Sequence, residues 1–148
     1  MVAHEKERRR RKRVDVALPI KIEYNKGQLL ERTINISTLG TYIEADREIP
    51  IGTALDIDLE IPKPGVKATD KAHVLCSGVA FRCQLTSNLN SRNRFGIGIF
   101  FRSFYEGGEE ELSQYIDYVI SEEKKKGKIF MQKRQQKRTK SKEKKKRR

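Results

Sequence analysis

The sequence predicts a mainly β protein: a six-stranded antiparallel β-barrel with one C-terminal α-helix and disordered basic termini. Three observations predict it. Short stretches of alternating apolar and polar residues recur with turn residues between them and no helical pattern interleaved, which argues for antiparallel pairing. A single helical apolar stripe follows the last of these stretches. The 148 residues are 36% apolar and 36% charged, enough for one domain but poor in hydrophobe for a chain folded along its whole length.

Residues 1–13 hold seven basic and two acidic side chains and almost nothing apolar, so they read as a flexible basic arm. Folding is expected from Val14. Leu18, Ile20, Ile22 and Tyr24 alternate with Pro19, Lys21 and Glu23, one strand with one buried face. Asn25-Lys26-Gly27 is turn chemistry, suited to a positive φ at Asn or Gly. A second strand spans about Gln28 to Ile36, Ser37-Thr38-Leu39-Gly40 interrupts it, and Thr41-Tyr42-Ile43 opens a third. Beyond Pro50-Ile51-Gly52, Leu55, Ile57, Leu59 and Ile61 face one way while Asp56, Asp58 and Glu60 face the other. Pro62-Lys63-Pro64-Gly65 is a loop, and a long β segment covers about Lys71 to Thr86. Ser87 to Asn93 connects it to the last strand, Phe95 to Phe101, whose Gly96 and Gly98 suggest a bend or a close backbone approach.

Gly107-Gly108 ends the β region, and Glu109-Glu110-Glu111 suits a helix N-terminus. Leu112, Tyr115, Ile116, Val119 and Ile120 fall at i, i+3, i+4, i+7 and i+8, a stripe expected to dock across one mouth of the barrel. Barrel and helix together are assigned residues 14–123. Residues 124–148 carry fifteen lysines and arginines against one acid, Glu143, and read as a basic tail, disordered or a frayed helix. The formal charge of +13 thus sits on the two ends, around a central region of −6.

Several classes of function fall away. No apolar run approaches the roughly 20 residues that span a bilayer, and the charged N-terminus is no signal peptide. Cys76 and Cys83 make no disulfide framework; on one strand their odd separation would put them on opposite faces, and reduced thiols fit a cytoplasmic setting. His4 and His73 are the only histidines, no Cys/His group has metal spacing, and no nucleophile has an evident base. The expectation is a non-enzymatic protein with no catalytic residues and no metal or cofactor.

The informative residues are an arginine cluster, Arg8-Arg9-Arg10-Arg11-Lys12-Arg13, directly before Val14, and Asn35-Ile36-Ser37-Thr38-Leu39-Gly40 after the second strand. Together they resemble the PilZ domain, a bacterial receptor for the second messenger cyclic di-GMP, marked by R-x-x-x-R and [D/N]-x-S-x-x-G. Arg9 and Arg13 match the first motif, with Arg8 and Lys12 a poorer alternative register; Asn35, Ser37 and Gly40 match the second. The resemblance covers about Glu7 to Tyr118. It includes Ile49-Pro50-Ile51-Gly52-Thr53, similar to the family's P-x-G-x turn, and Phe95-Gly96-Ile97-Gly98-Ile99-Phe100-Phe101, similar to its final strand. Asn35 stands where the family more often has Asp, and no aromatic or proline lies between the two arginines.

The resemblance implies cyclic di-GMP as ligand, held by Arg9, Arg13, Asn35, Ser37 and Gly40, with Arg10 an added phosphate contact. The residue types suit it. A guanidinium fork can engage guanine N7 and O6 bidentately and can stack on the purine face. An Asn oxygen can accept from guanine N–H groups, a Ser hydroxyl can bond a base or phosphate, and Gly40 permits a tight turn with backbone approach to the ligand. Ligand binding is expected to order the arginine arm and to signal through an unidentified effector protein. The basic tail, ending in Lys144, Lys145, Lys146, Arg147 and Arg148, is a candidate polyanion contact, whether nucleic acid or an anionic membrane surface. Nucleic-acid binding through that tail, or a PilZ-like adaptor that does not bind the dinucleotide, are the alternative readings.

Overall fold

The computed structural model describes residues 12–63, 70–87 and 93–146, with backbone alone at 87 and 128–146. The strands are β1 (Pro19–Tyr24), β2 (Gly27–Ile36), β3 (Gly40–Ala45), β4 (Ala54–Pro62), β5 (Lys71–Ser87) and β6 (Arg94–Phe104), and the helix is α1 (Gly108–Lys146). Antiparallel pairing in the order β1-β2-β3-β6-β5-β4 closes a barrel, because β1 pairs with both β2 and β4. Closure leaves no free sheet edge.

Alternation sets the faces. Ile20 and Ile22 on β1 and Leu55, Ile57, Leu59 and Ile61 on β4 are all within 3% of full burial, and they meet Ile43, Val74, Ile97 and Ile99 inside the barrel. Asp56 faces solvent, and Asp58 and Glu60 are half-buried on the outer wall. Leu112, Tyr115 and Ile116 of α1 are buried, whereas Val119 and Ile120 are half-buried, so the first half of the stripe carries the packing. Gly108, at the start of α1, packs against Val74 and Phe104. The helix runs unbroken from there to Lys146. Contacts divide the chain into two compact units, Met1–Ile116 and Asp117–Arg148.

Two local features differ from the reading of the sequence. In the β1–β2 hairpin, Tyr24 pairs with Gly27, so the two central residues are Asn25 and Lys26, with φ of 46° and 61°. That is the geometry of a two-residue primed turn. Asn25 thus takes the positive φ expected of Asn or Gly; its left-handed neighbour is Lys26, and Gly27 is the first residue of β2. The second difference is on β5. Ala80 pairs with Ile99 but Arg82 pairs with Gly98, which leaves Phe81 as an extra residue, a β-bulge. The bulge shifts the parity, so Cys83 pairs with inward-facing Ile97 and lies on the same face as buried Cys76. Both thiols are free, and burial pushes that of Cys76 up to about 12.

Ahead of β1 the chain is tied to β2. Val14 and Ile36 exchange two backbone hydrogen bonds of 2.9 Å, and both residues are buried. Thr33, 2% exposed, accepts from the Leu18 N–H at 2.9 Å through its hydroxyl oxygen and donates to the Val16 carbonyl. One side chain thereby satisfies a buried donor and holds the entry segment in register.

Thr33→Val preserves shape but strands the Leu18 N–H, and it should lower unfolding stability by about 1–3 kcal/mol in a urea titration. Lys26→Gly should act in the opposite sense. The left-handed conformation costs a side-chain-bearing residue about 1–2 kcal/mol, and glycine's extra unfolded-state entropy returns about 0.5–1 kcal/mol of the relief. The urea midpoint should rise by the equivalent of roughly 0.5–1 kcal/mol with the m-value unchanged.

Candidate functional site

The Val14–Ile36 bridge determines what stands beside what. In an antiparallel pair the residue before one partner lies across from the residue after the other. Arg13 is therefore set across from Ser37, although the two are far apart in sequence. Arg13 itself is exposed. Arg9 and Arg10 lie outside the described residues, as do Arg147 and Arg148.

Around Ser37 the chain makes a tight loop. The Ser37 N–H donates to the Gly40 carbonyl at 2.9 Å, and the Leu39 N–H donates to the Ser37 hydroxyl oxygen at 3.1 Å. The Leu39 carbonyl accepts from the Phe101 N–H at 2.8 Å, which pins the loop to β6. Ser37 Oγ is thus used as an acceptor from the loop, while its O–H remains a donor that can turn outward. Gly40 is required for a different reason from the one expected: a β-carbon there would collide with the Ile99 carbonyl oxygen, so the residue is glycine because β3 and β6 approach too closely for anything larger.

Asn35 owes its position to a second bulge. Thr33 pairs with Ile43 and Asn35 with Tyr42, leaving Ile34 unpaired. Across the outer wall the registers then align Asn35 on β2, Tyr42 on β3, Gly98 on β6 and Arg82 on β5. Phe81, thrown out by its own bulge, lays the end of its ring over Gly98, where a β-carbon would come within 2.8 Å of it. Tyr42 lies over Gly96 in the same way. The space at the two β6 glycines is therefore taken by aromatic side chains and not by the close backbone approach expected there.

The result is a pocket of about 510 Å³ on the outer wall of the barrel. Arg13, Asn35, Ser37 and Gly40 all line it. Leu39, Phe81 and Phe100 give it apolar surface, and Arg82 supplies a second guanidinium. Phe81 and Phe100 are 56% and 44% exposed, which is unusual for phenylalanine and leaves flat faces available. Arg82 donates to Gln84 Oε1 at 2.9 Å.

Phe81, Arg82, Tyr42 and Phe100 were not among the candidates drawn from the sequence. On a regular strand Phe81 reads as one more apolar residue of β5; only the bulge turns it and Arg82 toward Asn35. Burial raises the Glu31 carboxyl, and the hydrogen bond that exposed His73 donates from Nδ1 to Asp58 Oδ1 at 2.8 Å raises its imidazole. Among the described residues no three potential metal ligands cluster. The pocket's chemistry is that of recognition: two cationic forks, an amide, a hydroxyl and aromatic faces suit a flat heterocycle bearing anionic groups.

Solved structures share the fold. The Bacillus subtilis inhibitor of motility MotI/DgrA superposes with a TM-score of 0.59 at 16% identity, over 74% of this chain and 50% of that one. MrkH of K. pneumonia in its apo state gives 0.60 at 15% identity, over 78% and 52%. Borreliella burgdorferi PlzA, in complex with c-di-GMP, gives 0.52 at 10% identity, over 82% and 56%. The chain thus spans about half the length of these structures. No curated protein sequence matches it. Among the described residues no helix is long and apolar enough to cross a membrane. The PilZ domain model matches residues 7–118, through the barrel and into α1, and the chain belongs to the PilZ domain family.

Proposed function

We propose that this protein is a cyclic di-GMP receptor whose arginine arm closes over the dinucleotide and presents the ordered arm to a partner protein. The observation that carries the reading is the meeting of Arg13, Asn35, Ser37 and Gly40 on one pocket, at the place the Val14–Ile36 bridge dictates. The PlzA structure, of the same fold, holds this ligand, which supports it. Arg13 grips a guanine edge or a phosphate, Asn35 accepts from guanine N–H groups, and Ser37 donates to the same ligand. Phe81 and Phe100 offer stacking faces, and Arg82 closes the far side. Arg9 and Arg10, on the arm, complete the anion contacts.

Ordering the arm has a cost of about 1–2 kcal/mol per backbone residue. Most of that must be offset by ligand contacts before affinity appears, so binding and arm closure are one event. The closed arm adds a cationic surface to a barrel region of net negative charge, and that relocated charge is what the effector protein reads.

Calorimetry on the full chain with cyclic di-GMP, and with GTP and cyclic AMP as controls, tests the proposal. Saturable heat is expected for the cyclic dinucleotide only. Arg13→Ala should weaken binding about tenfold or more, and Arg13→Lys should recover only part, because lysine lacks the fork. Absence of heat from the folded full chain, or equal affinity in Arg13→Ala, sinks the assignment. Phe81→Ala should separately weaken binding by about 1–3 kcal/mol if a base stacks on its ring. An unchanged constant would remove Phe81 from the site while leaving the receptor.

A further inference from the structure

We propose that the polar stretch of α1, residues 124–146, is a duplex-DNA-binding helix. The inference is independent of the pocket and rests on the placement of residue types along this one helix. Thirteen lysines and arginines lie between Lys124 and Lys146, against the single carboxylate Glu143. The backbone over this stretch is continuous helix. At 1.5 Å per residue it is on the order of 34 Å long, comparable to one turn of B-DNA.

The cations are not scattered at random about the axis. At 100° per residue, Gln132, Gln135, Gln136 and Thr139 fall at i, i+3, i+4 and i+7, a face without charge over residues 132–139; Lys125 and Lys128 precede it and Glu143 and Lys146 follow it on the same side of the axis. Lys133, Lys137, Lys140 and Lys144 take positions along one side of that face; Arg134, Arg138, Lys142 and Lys145 take positions along the other. A duplex major groove, about 12 Å wide, admits a helix of about 10–12 Å and presents base edges at its floor with phosphates on both walls. Glutamine is the residue type that pairs bidentately with adenine N6 and N7, and a threonine methyl suits the thymine methyl. An amide face between two cationic flanks matches the floor and walls of that groove.

An anionic bilayer is the poorer match. Interfacial helices bury an apolar stripe, whereas Ile129, Phe130 and Met131 are consecutive and so spread around the axis. The helix also carries lysine or arginine pairs at i, i+4, such as 133/137, 134/138 and 140/144, each of which destabilises an isolated helix. Phosphates on both sides convert that self-repulsion into attraction.

The test uses the full chain and a pool of duplexes of about 20 base pairs with a randomised centre, followed by fluorescence anisotropy over a salt series. With about six phosphates engaged, affinity should fall about 10³-fold between about 50 and 200 mM salt. Replacing Lys133, Arg134, Lys137 and Arg138 by Gln together should flatten that slope to about a third. Gln135→Ala with Gln136→Ala should keep the slope but erase any sequence enriched from the pool. Single-stranded DNA bound as tightly as duplex, tighter binding to phosphatidylserine vesicles, or an unaltered slope in the fourfold variant would each overturn the proposal.

Discussion

Two hydrogen bonds between Val14 and Ile36 hold the candidate site together. They are backbone bonds between buried residues, so water cannot replace them cheaply, and the Thr33 hydroxyl ties the same segment a turn further on. Their consequence is geometric. Once Val14 pairs with Ile36, Arg13 has to stand across from Ser37, on the pocket they both line. Arg13 and the Asn35–Gly40 segment, separated by a whole hairpin in sequence, meet on one pocket through this register.

The outer wall of a regular barrel is convex and offers little to hold a ligand. Here it becomes concave through three departures from regularity. The bulge at Ile34 aligns Asn35 with Tyr42, and the bulge at Phe81 brings that ring and Arg82 into the same row. Gly98 lies between Tyr42 and Arg82 and leaves the gap that Phe81 covers. Bulges next to sites commonly re-aim a side chain in this manner. Gly40 belongs to a different constraint, the close passage of β3 over the Ile99 carbonyl, so its presence in the motif reflects barrel packing before it reflects any ligand.

The strands and the helix start were legible because alternation and the Leu112–Ile120 stripe are written in residue types. So were Arg13, Asn35 and Ser37, which lie in local motifs with a fixed position relative to the strands. The other half of the pocket was not. A bulge inserts one residue without changing composition, so nothing in Ala80-Phe81-Arg82 announces that parity changes there. The same shift undid the expectation for Cys76 and Cys83, which share a face only because Phe81 is skipped in the ladder. Asn25 was legible as a left-handed residue but Lys26 beside it was not: glycine is the better former of that conformation, yet hairpin register, not local preference, decides which residues occupy the turn.

The pocket and the polar stretch of α1 call on opposite kinds of affinity. The pocket joins a few cationic and polar groups to half-exposed aromatic faces, so much of what it gains from a compact ligand is stacking and desolvation, which salt barely weakens. The polar stretch of the helix is rich in lysine and arginine, so nearly all that such a sequence gains from a polyanion is counterion release, which salt removes steeply. Substituting one class of residue therefore cannot mimic loss of the other. Neutralising helix lysines should change a slope against ionic strength, whereas truncating Phe81 should change an intercept, and the two contributions separate without either unit being removed from the chain.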